Sequence, residues 1–474
     1  MKTLLQRIST LSVLILALCA GDSFATEPLR AGLAVLDITP PVGYRMAGYF
    51  YERLSTGIHD PLKAKALVFE QGAIRCALVF CDLCMISPAA AAQARALAEI
   101  ETHIEPENIL IQATHTHTGP LYFGELEEQL HMDALAKTGK DSAEAFDYPK
   151  FLAEQIANAI KQAQLNAEPV ELAAGSATQP NIAFNRRYHM RDGTVGWNPG
   201  KMNTNIIRAV GPIDPQISLL AFNRPGTTQP TALLTRLALH IDVAGGTEFS
   251  ADYPYYLERG LRENFGDSFT SLFAQGTSGN INHIDVSNSR PQSGFIYSEF
   301  IGTNLAETVS KAISTLKPIS VPRLKTDSVL VDLSVKQFTP AQVAEARRVW
   351  AQVNERKLPF LTLVNAGKIV GIYDRYNGAP IPCRIRAFAF DQDNALIGLP
   401  SEVFVELGLA IKKQSPFKNT IVVELCDDWI GYIPTKQAFA EGNYEPTTAT
   451  IQPGGGERLA DAAIKLLKAL KRKS

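Results

Sequence analysis

Apolar and polar positions along the chain follow two periods, one typical of strands and one typical of helices. Short apolar runs predict strands at 64–69, 77–80, 109–113, 231–240, 271–274, 387–390, 395–398 and 420–425. Helical patterns fall at 88–101, 148–163, 255–265, 301–316 and 340–353, with a final amphipathic helix near the carboxyl end. Two glycine-containing polar stretches, 185–205 and 454–457, predict loops at the rim of a site. The order of elements predicts an α/β fold in which mixed central β-sheets are flanked by helices.

Composition and charge narrow the class of protein. The 474 residues are 46% apolar and 20% charged, which is typical of a globular protein. A formal charge of −2 gives no electrostatic reason to expect nucleic acid or an anionic membrane as a partner. No segment after the amino terminus is long and apolar enough for stable membrane insertion. A small-molecule or lipid substrate is the expected partner, and the sequence does not indicate an oligomeric state.

The amino terminus has the pattern of an export signal. Lys2 and Arg7 precede the apolar run 11–20, and Ser23 and Ala25 form a small-x-small cleavage pattern. We therefore predict a signal peptide at 1–25 and a protein that is periplasmic or secreted. Without an internal repeat or a long linker, residues 26–474 are predicted to form a single domain.

The cysteines beyond the predicted signal peptide do not suggest a disulfide framework. They are five in number, which excludes complete intramolecular pairing. Cys81 and Cys84 have the spacing of a redox pair, but they lie in an apolar run that reads as a buried strand. We expect buried thiols that pack as small apolar side chains.

Candidate chemistry is concentrated where predicted strands end. His115 and His117 alternate with threonines directly after the strand 109–113, so both imidazoles can face one site. A His-x-His pair is a common beginning of a metal site, although two surface histidines would look the same.

Further predicted strands also deliver polar residues into loops. His240, Glu402 and Tyr432 each follow such a run, and an amide-rich loop spans 275–282. Each residue also has an ordinary structural explanation. A lone histidine is usually hydrogen-bonded, a glutamate beginning a helix favours the helix dipole, and a tyrosine after glycine usually packs.

The serial order of these pieces resembles that of the neutral/alkaline non-lysosomal ceramidase family. Its most specific part is Thr-His-Thr-His-Thr-Gly-Pro at 114–120. The other matching pieces lie at 31–32, 37–41, 46–49, 185–186, 250–254, 279–280, 398–402 and 431–432. The resemblance extends from about Ala31 to about Tyr444 and implies a ceramidase-like catalytic domain.

The resemblance also implies a site. A catalytic zinc ion would be held by the side chains of His115, His240, Glu402 and Tyr432, which are reasonable zinc ligands. His117 would lie just outside the ligands as a proton shuttle or orienting group. The remaining implied site residues, which would hold the scissile group or its developing oxyanion, are Arg186 and Tyr444.

Two departures from the family pattern bear on the mechanism. The family carries a serine in its Gly-Asp-x-Ser-Pro-Asn loop, and Asn282 stands at that position here. A carboxamide cannot replace a hydroxyl as nucleophile, but it can donate a hydrogen bond to a carbonyl, so attack by metal-activated water suits this chain. His283 replaces the proline and could be an added site residue or an ordinary loop residue, of which we favour the second. The chain also leaves no room for the family's carboxyl-terminal immunoglobulin-like domain.

These observations predict an exported zinc-dependent hydrolase, a probable amidase, with a ceramide-like N-acyl lipid as first candidate substrate and hence a role in sphingolipid metabolism. Two alternatives stay open from the sequence. The same zinc site could hydrolyse another small amide or an ester, or the chain could be a non-catalytic binding protein with a structural metal.

Overall fold

The computed structural model describes residues 27–355 and 357–473. The predicted signal peptide, 1–25, therefore lies outside the described residues. Three single-turn 3-10 helices occur at Pro106–Asn108, Ser142–Glu144 and Val353–Glu355. The α-helices of the described chain are α1 (Pro88–Thr102), α2 (Glu125–Thr138), α3 (Tyr148–Leu165), α4 (Tyr253–Phe265), α5 (Phe295–Ile313), α6 (Pro340–Trp350), α7 (Phe360–Tyr376), α8 (Val405–Gln414), α9 (Lys436–Glu441), α10 (Tyr444–Thr448) and α11 (Gly455–Arg472).

The strands vary from two to nine residues in length. In chain order they are β1 (Arg30–Asp37), β2 (Gly57–Ile58), β3 (Lys63–Gln71), β4 (Ile74–Cys81), β5 (Ile109–Ala113), β6 (Glu168–Pro169), β7 (Glu171–Thr178), β8 (Phe184–Asn185), β9 (Arg187–Met190), β10 (Val195–Trp197), β11 (Ile206–Ala209), β12 (Gln216–Asn223), β13 (Pro230–Leu237), β14 (Glu248–Phe249), β15 (Thr270–Gln275), β16 (Ile281–Asn282), β17 (Lys317–Pro318), β18 (Lys325–Leu333), β19 (Ile381–Ala389), β20 (Asn394–Gly398), β21 (Glu402–Val403), β22 (Asn419–Val423) and β23 (Tyr432–Ile433).

Three mixed sheets form the framework. Their strand orders are β5-β4-β3-β1-β6, β15-β13-β12-β7-β17 and β18-β19-β20-β22. Most neighbours are antiparallel, but each sheet contains one parallel pair: β4 with β5, β13 with β15, and β20 with β22. The α/β class with mixed sheets flanked by helices is therefore observed as predicted.

The three sheets share one apolar core. Each sends side chains into a common cluster that includes Leu78, Leu234 and Leu396. Alternate residues on the same strands point the other way and are covered by helices. The first sheet packs against α1 and α3, the second against α4 and α5, and the third against α8 and α11. The strands are apolar on both faces because each sheet is covered on both sides.

A single buried amide joins the three sheets where their parallel pairs end. Gln112, in β5, is fully buried, and its Nε2 donates to the backbone carbonyls of Gln275 at 2.9 Å and Glu424 at 2.6 Å. Gln275 ends β15, and Glu424 directly follows β22. The carboxyl ends of strands from different sheets are thereby held together, which is where open α/β sheets usually carry their sites.

The structure corrects two loop predictions. Within the polar stretch 185–205, β9 and β10 pair antiparallel in a small sheet whose residues Arg187, Tyr188 and Val195 are buried, and packing of these side chains orders the stretch. The glycine-rich stretch 454–457 is the beginning of α11, whose apolar face buries Leu459, Ala463 and Leu467 strongly enough to extend the helix through glycines. The other predicted elements occur with ends shifted by a few residues.

The cysteine prediction is confirmed. The five cysteines of the described chain, Cys76, Cys81, Cys84, Cys383 and Cys426, are all free and buried. Burial raises the pKa of Cys81 above its usual value, as expected of a thiol in an apolar environment. Among the described residues, no helix combines the length and apolar character required to cross a membrane.

Close packing of α3 on β1 leads to a stability prediction. A Cβ atom at Gly32 would lie 1.9 Å from the carbonyl oxygen of Ala163 and 2.6 Å from the nitrogen of Ala167. Because backbone atoms cannot move aside cheaply, we expect Gly32→Ala to lower the free energy of unfolding by about 1–3 kcal/mol in urea titrations. The control is Gly57→Ala, where the nearest atom is the Oε1 of the Glu248 side chain, 3.1 Å away. Equal stability of the two variants would contradict the proposed packing constraint.

Candidate metal centre

Each of the three main sheets contributes one candidate ligand to the same point. His115 follows β5, His240 follows β13, and Glu402 follows β20 as the first residue of β21. All three side chains are buried. Their nearest ring or carboxylate atoms lie within hydrogen-bonding distance of one another although they come from residues far apart in the chain.

The distances match those expected around one metal ion. His115 Nε2 and His240 Nε2 are 3.0 Å apart, and Glu402 Oε2 lies 3.3 Å from the first and 3.4 Å from the second. Tetrahedral zinc with bonds of about 2.0–2.1 Å places neighbouring ligand atoms about 3.3–3.4 Å apart. The triangle of donor atoms is therefore of the right size for such an ion.

The second nitrogen of each imidazole is engaged with a backbone carbonyl. His115 Nδ1 lies 2.7 Å from the carbonyl of Cys84, and His240 Nδ1 lies 3.1 Å from that of Ser278. A carbonyl only accepts, so each Nδ1 carries a proton and each Nε2 can offer its lone pair to the shared point. Glu402 Oε2 is buried there and accepts no hydrogen bond in the described structure. Three converging lone-pair atoms fit a cation.

The pKa shifts express the same preference for positive charge. Burial tends to lower the pKa of His115, but its interactions with Glu402 and Cys84 together outweigh this effect and hold that pKa well above its usual value. Burial tends to raise the pKa of Glu402, yet His115 and His240 hold it well below its usual value. Either a proton on His115 or a metal ion would supply the positive charge that this arrangement attracts.

Tyr432 and Arg186 form one wall beside the three ligands. Tyr432 is the register partner of Glu402 in the parallel pair of β21 and β23. The Arg186 guanidinium lies 5.3 Å from the centre of the Tyr432 ring, and its Nη1 is 3.5 Å from His240 Nε2. Its Nη2 donates to the carbonyl of Gly279 at 2.6 Å. Tyr444 completes this wall, with its ring centre 5.4 Å from that of Tyr432.

His117 lies on the opposite side of His115. Its Nε2 is 3.4 Å from His115 Nε2, and burial together with the neighbouring imidazole holds its pKa well below the usual value. Gly48 packs directly on it: a Cβ there would lie 2.5 Å from the Cβ of His117, and the φ of +98° also favours glycine. The predicted His-x-His segment thus supplies one candidate ligand and one adjacent base.

The structure does not bring Asn282 or His283 to the three ligands through any described contact. Asn282 is buried in β16, where its Nδ2 donates to Asn198 at 2.9 Å and its Oδ1 accepts from the Ile284 nitrogen at 3.1 Å. His283 Nδ1 is 3.0 Å from Asp242 Oδ1. Both carry hydrogen bonds that shape the loop, which agrees with the interpretation of His283 as a loop residue.

A largely apolar cavity leads to the three ligands. Its empty space, including the open mouth, is about 830 Å³, and its walls contain His115, His117, Glu402, Tyr432 and Tyr444. The apolar part of the wall is formed by Phe50, Leu121, Phe123, Leu126, Trp350 and Val364.

Several residues that support the centre were not identified from the sequence. Trp429 Nε1 donates to Glu402 Oε1 at 2.9 Å, and Glu445 binds Arg186. Glu424 accepts from the nitrogen and hydroxyl of Ser278, the residue whose carbonyl holds His240, and burial raises the pKa of Glu424 to about 8. The sequence indicated Trp429 and Glu445 only by their position: Trp429 shortly precedes Tyr432, and Glu445 directly follows Tyr444.

Two other groups bring metal-ligand side chains together. Cys84 Sγ is 3.9 Å from His115 Nδ1, but that nitrogen is already bonded to a carbonyl, so this group is poorly arranged for an ion. The other group is Glu127, His131 and Glu144, which are half-buried and separate from the cavity.

The buried Glu445 carboxylate generates a stability prediction. Its two oxygens bind Arg186 Nε at 2.9 Å and Arg187 Nη1 at 2.8 Å, and none of the three side chains is exposed by more than a few per cent. We expect Glu445→Gln to lower the free energy of unfolding by about 3–5 kcal/mol, because two buried guanidinium groups lose their counter-charge. In the control Glu441→Gln, a more exposed carboxylate 3.2 Å from Arg187 is removed, and urea titrations should show a much smaller loss. Similar losses in both variants would contradict this account.

Comparisons with known proteins agree with the motif order. Residues 29–247 match the family model described as neutral/alkaline non-lysosomal ceramidase, N-terminal. A neutral ceramidase of Pseudomonas aeruginosa is 24% identical, in an alignment that covers 94% of this chain and 72% of that protein.

Solved structures show the same fold. The crystal structure of neutral ceramidase from Pseudomonas aeruginosa superposes with a TM-score of 0.71 at 20% identity, covering 94% of this chain and 75% of that one. A ceramidase complexed with C2 gives a TM-score of 0.70 at 19% identity, covering 94% and 76%. The predicted resemblance is confirmed: residues 29–247 match the neutral/alkaline non-lysosomal ceramidase model, and most of the chain is similar in sequence and fold to a neutral ceramidase.

Proposed function

We propose that this chain is a zinc-dependent hydrolase that cleaves the amide bond of N-acyl lipids, with ceramide-like molecules as the first candidate substrates. One observation carries the proposal: the lone-pair atoms of His115, His240 and Glu402 converge beside a largely apolar cavity. The relationship to a protein named neutral ceramidase supports an amide hydrolase.

The ligand set proposed for zinc is His115, His240, Glu402 and Tyr432. Two imidazole nitrogens and a carboxylate at these separations suit zinc, and Tyr432 neighbours Glu402 in register. When bound, zinc supplies a Lewis acid and lowers the pKa of a water molecule towards neutrality. The remaining steps depend on residues of the chain.

Arg186 is proposed to hold the scissile carbonyl. Its Nε and Nη2 are occupied by Glu445 and the carbonyl of Gly279, so its orientation is set before substrate arrives. Its Nη1 remains directed to the His240 side of the centre. A preoriented cation there would stabilise negative charge developing on the carbonyl oxygen, with Tyr444 beside it.

His117 is proposed to move the proton. Its Nε2 is next to the proposed ligands and lines the cavity, and its lowered pKa keeps it able to accept a proton from water near neutrality. The amide nitrogen of the leaving group would receive that proton. The carbonyl-binding role predicted for Asn282 is not included, because its described hydrogen bonds are made within its loop.

The cavity is suited to a lipid chain. A wall of aromatic and aliphatic side chains gains free energy by excluding water from an acyl chain, while the charged groups of the wall are those of the candidate metal centre and the pair Glu125 and Lys368. Export through a signal peptide at 1–25 and organisation of 26–474 as one domain also remain proposals, the second supported by the core that all three sheets share.

Metal analysis tests the ligand assignment. We expect purified protein to contain about one zinc per chain, and His115→Ala and His240→Ala to lose most of it, because each substitution removes one of the two imidazoles among the four proposed ligands. His131→Ala is the matched control, since this histidine belongs to the separate Glu127–Glu144 group. Unchanged zinc in both site variants, or loss in the control alone, would refute the assignment.

Substrate assays test the reaction. We expect hydrolysis of N-acyl sphingosine, loss of that activity on treatment with a chelator, and recovery on adding zinc, because the proposed mechanism requires the metal. The comparison substrate is a simple ester of the same acyl chain. Faster, chelator-insensitive ester hydrolysis would contradict the proposed reaction. Bound zinc without hydrolysis of either substrate would instead favour a binding protein.

A further inference from the structure

A buried lysine lies in the wall of the largely apolar cavity. Lys368 belongs to α7, is 6% exposed and lines the same space as His115 and Glu402. Lysine is rarely buried to this extent unless its ammonium group has a partner. The surroundings of its Nζ atom therefore bear on what the cavity binds.

The ammonium is close to the candidate metal centre. Lys368 Nζ lies 4.4 Å from the centre of the Trp429 ring, and Trp429 Nε1 donates to Glu402 Oε1 at 2.9 Å. One indole ring thus separates the lysine from a proposed metal ligand. A ligand whose scissile bond lies at the centre would reach Lys368 through a linker of only a few bonds.

The protein partners of Lys368 leave donor capacity. An ammonium has three N–H donors, and the described structure gives Lys368 one carboxylate contact, with Glu125 Oε2 at 3.5 Å, which is the long limit of a hydrogen bond. Glu125 also faces a second cation, since its Oε1 is 3.8 Å from Arg375 Nη1. The cation–π contact with Trp429 uses charge but no hydrogen-bond acceptor.

A second ammonium group, that of Lys336, lies near enough to respond to the charge of Lys368. Burial and, to a lesser extent, the charge of Lys368 together lower the pKa of Lys336 to about 8. Lys336 Nζ is itself occupied, donating to the carbonyls of Pro446 at 2.7 Å and Thr447 at 3.1 Å. Two ammonium groups that are close enough to influence each other favour the binding of an anion where Lys368 lines the cavity.

Packing alone does not explain this lysine. A methionine of similar length would fill the same space against Trp429 without the cost of burying a charge. An unneeded cation in a wall that otherwise binds hydrocarbon would also disfavour a purely apolar ligand. An anionic ligand group removes both costs by pairing with the charge.

We propose that Lys368 is the anion-binding element of a subsite beside the metal centre, and that the preferred amide substrate carries a carboxylate or phosphate ester a few bonds from its scissile bond. This inference rests on the proposed function and specifies its substrate class. Glu125 and Trp429 position the ammonium, and the apolar wall accommodates the remaining hydrocarbon.

Matched amides test the subsite. Three substrates share a dodecanoyl chain and a six-carbon amine that ends in a hydroxyl, a carboxylate or a phosphate ester, so the last two distinguish the sources of negative charge. A second pair tests the acyl side of the bond, with a hydroxyl or a carboxylate at the end of a short, four-carbon acyl chain. For the wild type we expect kcat/KM to favour at least one anionic member by tenfold or more over its neutral partner.

Variants assign that preference to the lysine. Lys368→Met should reduce the ratio of anionic to neutral kcat/KM to about one, Lys368→Arg should keep most of it, and the exposed-residue control Lys311→Met should leave it unchanged. Absence of a preference in the wild type, or a preference that survives Lys368→Met, overturns the inference. A Lys368→Met variant that fails to fold leaves the wild-type ratio and the arginine variant as tests.

Binding measurements separate the two proposals. In ketone analogues of the same compounds, a methylene replaces the amide nitrogen, so they bind without being hydrolysed, and calorimetry gives their Kd values. Failure to hydrolyse any amide refutes the proposed function. The inference on Lys368 is then judged from binding: a tenfold anionic preference lost in Lys368→Met supports it, and equal ratios in wild type and variant overturn it.

Discussion

One buried amide marks the constraint on which the candidate centre depends. Gln112 Nε2 donates to carbonyls that belong to the other two main sheets, so three strand ends are fixed to one another at a single point. His115 lies shortly beyond Gln112, while His240 and Glu402 follow β13 and β20, the parallel neighbours of the strands that end at this junction. Their converging lone-pair atoms would repel one another without positive charge between them, and the shared core of the three sheets supplies the packing free energy that holds them there.

The polar groups around the centre are fixed in the same manner. Backbone carbonyls set the orientation of both imidazoles, Trp429 holds one oxygen of Glu402, and Glu445 holds Arg186. The contacts of both imidazoles and of Glu445 are buried, and that of Trp429 is partly buried in the cavity wall, so the orientation of these groups is set before a ligand enters. The cavity wall changes from aromatic and aliphatic at one end to imidazole and carboxylate at the other, which suits a ligand with a long apolar part and one polar reacting group.

Local sequence patterns predict that each candidate ligand follows a strand, but they do not show that the three residues converge on one point. His115 could be predicted because the apolar run 109–113 ends two residues before it. The convergence of these three residues depends on how the sheets pack against one another. Strands that are covered on both faces do not alternate between apolar and polar residues, so their sequence does not show which face is turned towards the shared core. Helix α7 was missed because it contains Gly367 and Gly371, which lower helix propensity. Those glycines make room for the Trp350 ring and the Glu125 side chain.

Because His115, His240 and Glu402 each follow a strand of a different main sheet, an ion bound there would be a further cross-link among the three sheets. By thermodynamic linkage, metal binding would then increase the free energy of unfolding by an amount that depends on the free metal concentration. In an environment poor in metal, the stability of the folded protein would therefore depend on the same equilibrium that sets the occupancy of the centre. Substitutions deep in the common core would, by reciprocity, alter metal affinity without touching a ligand.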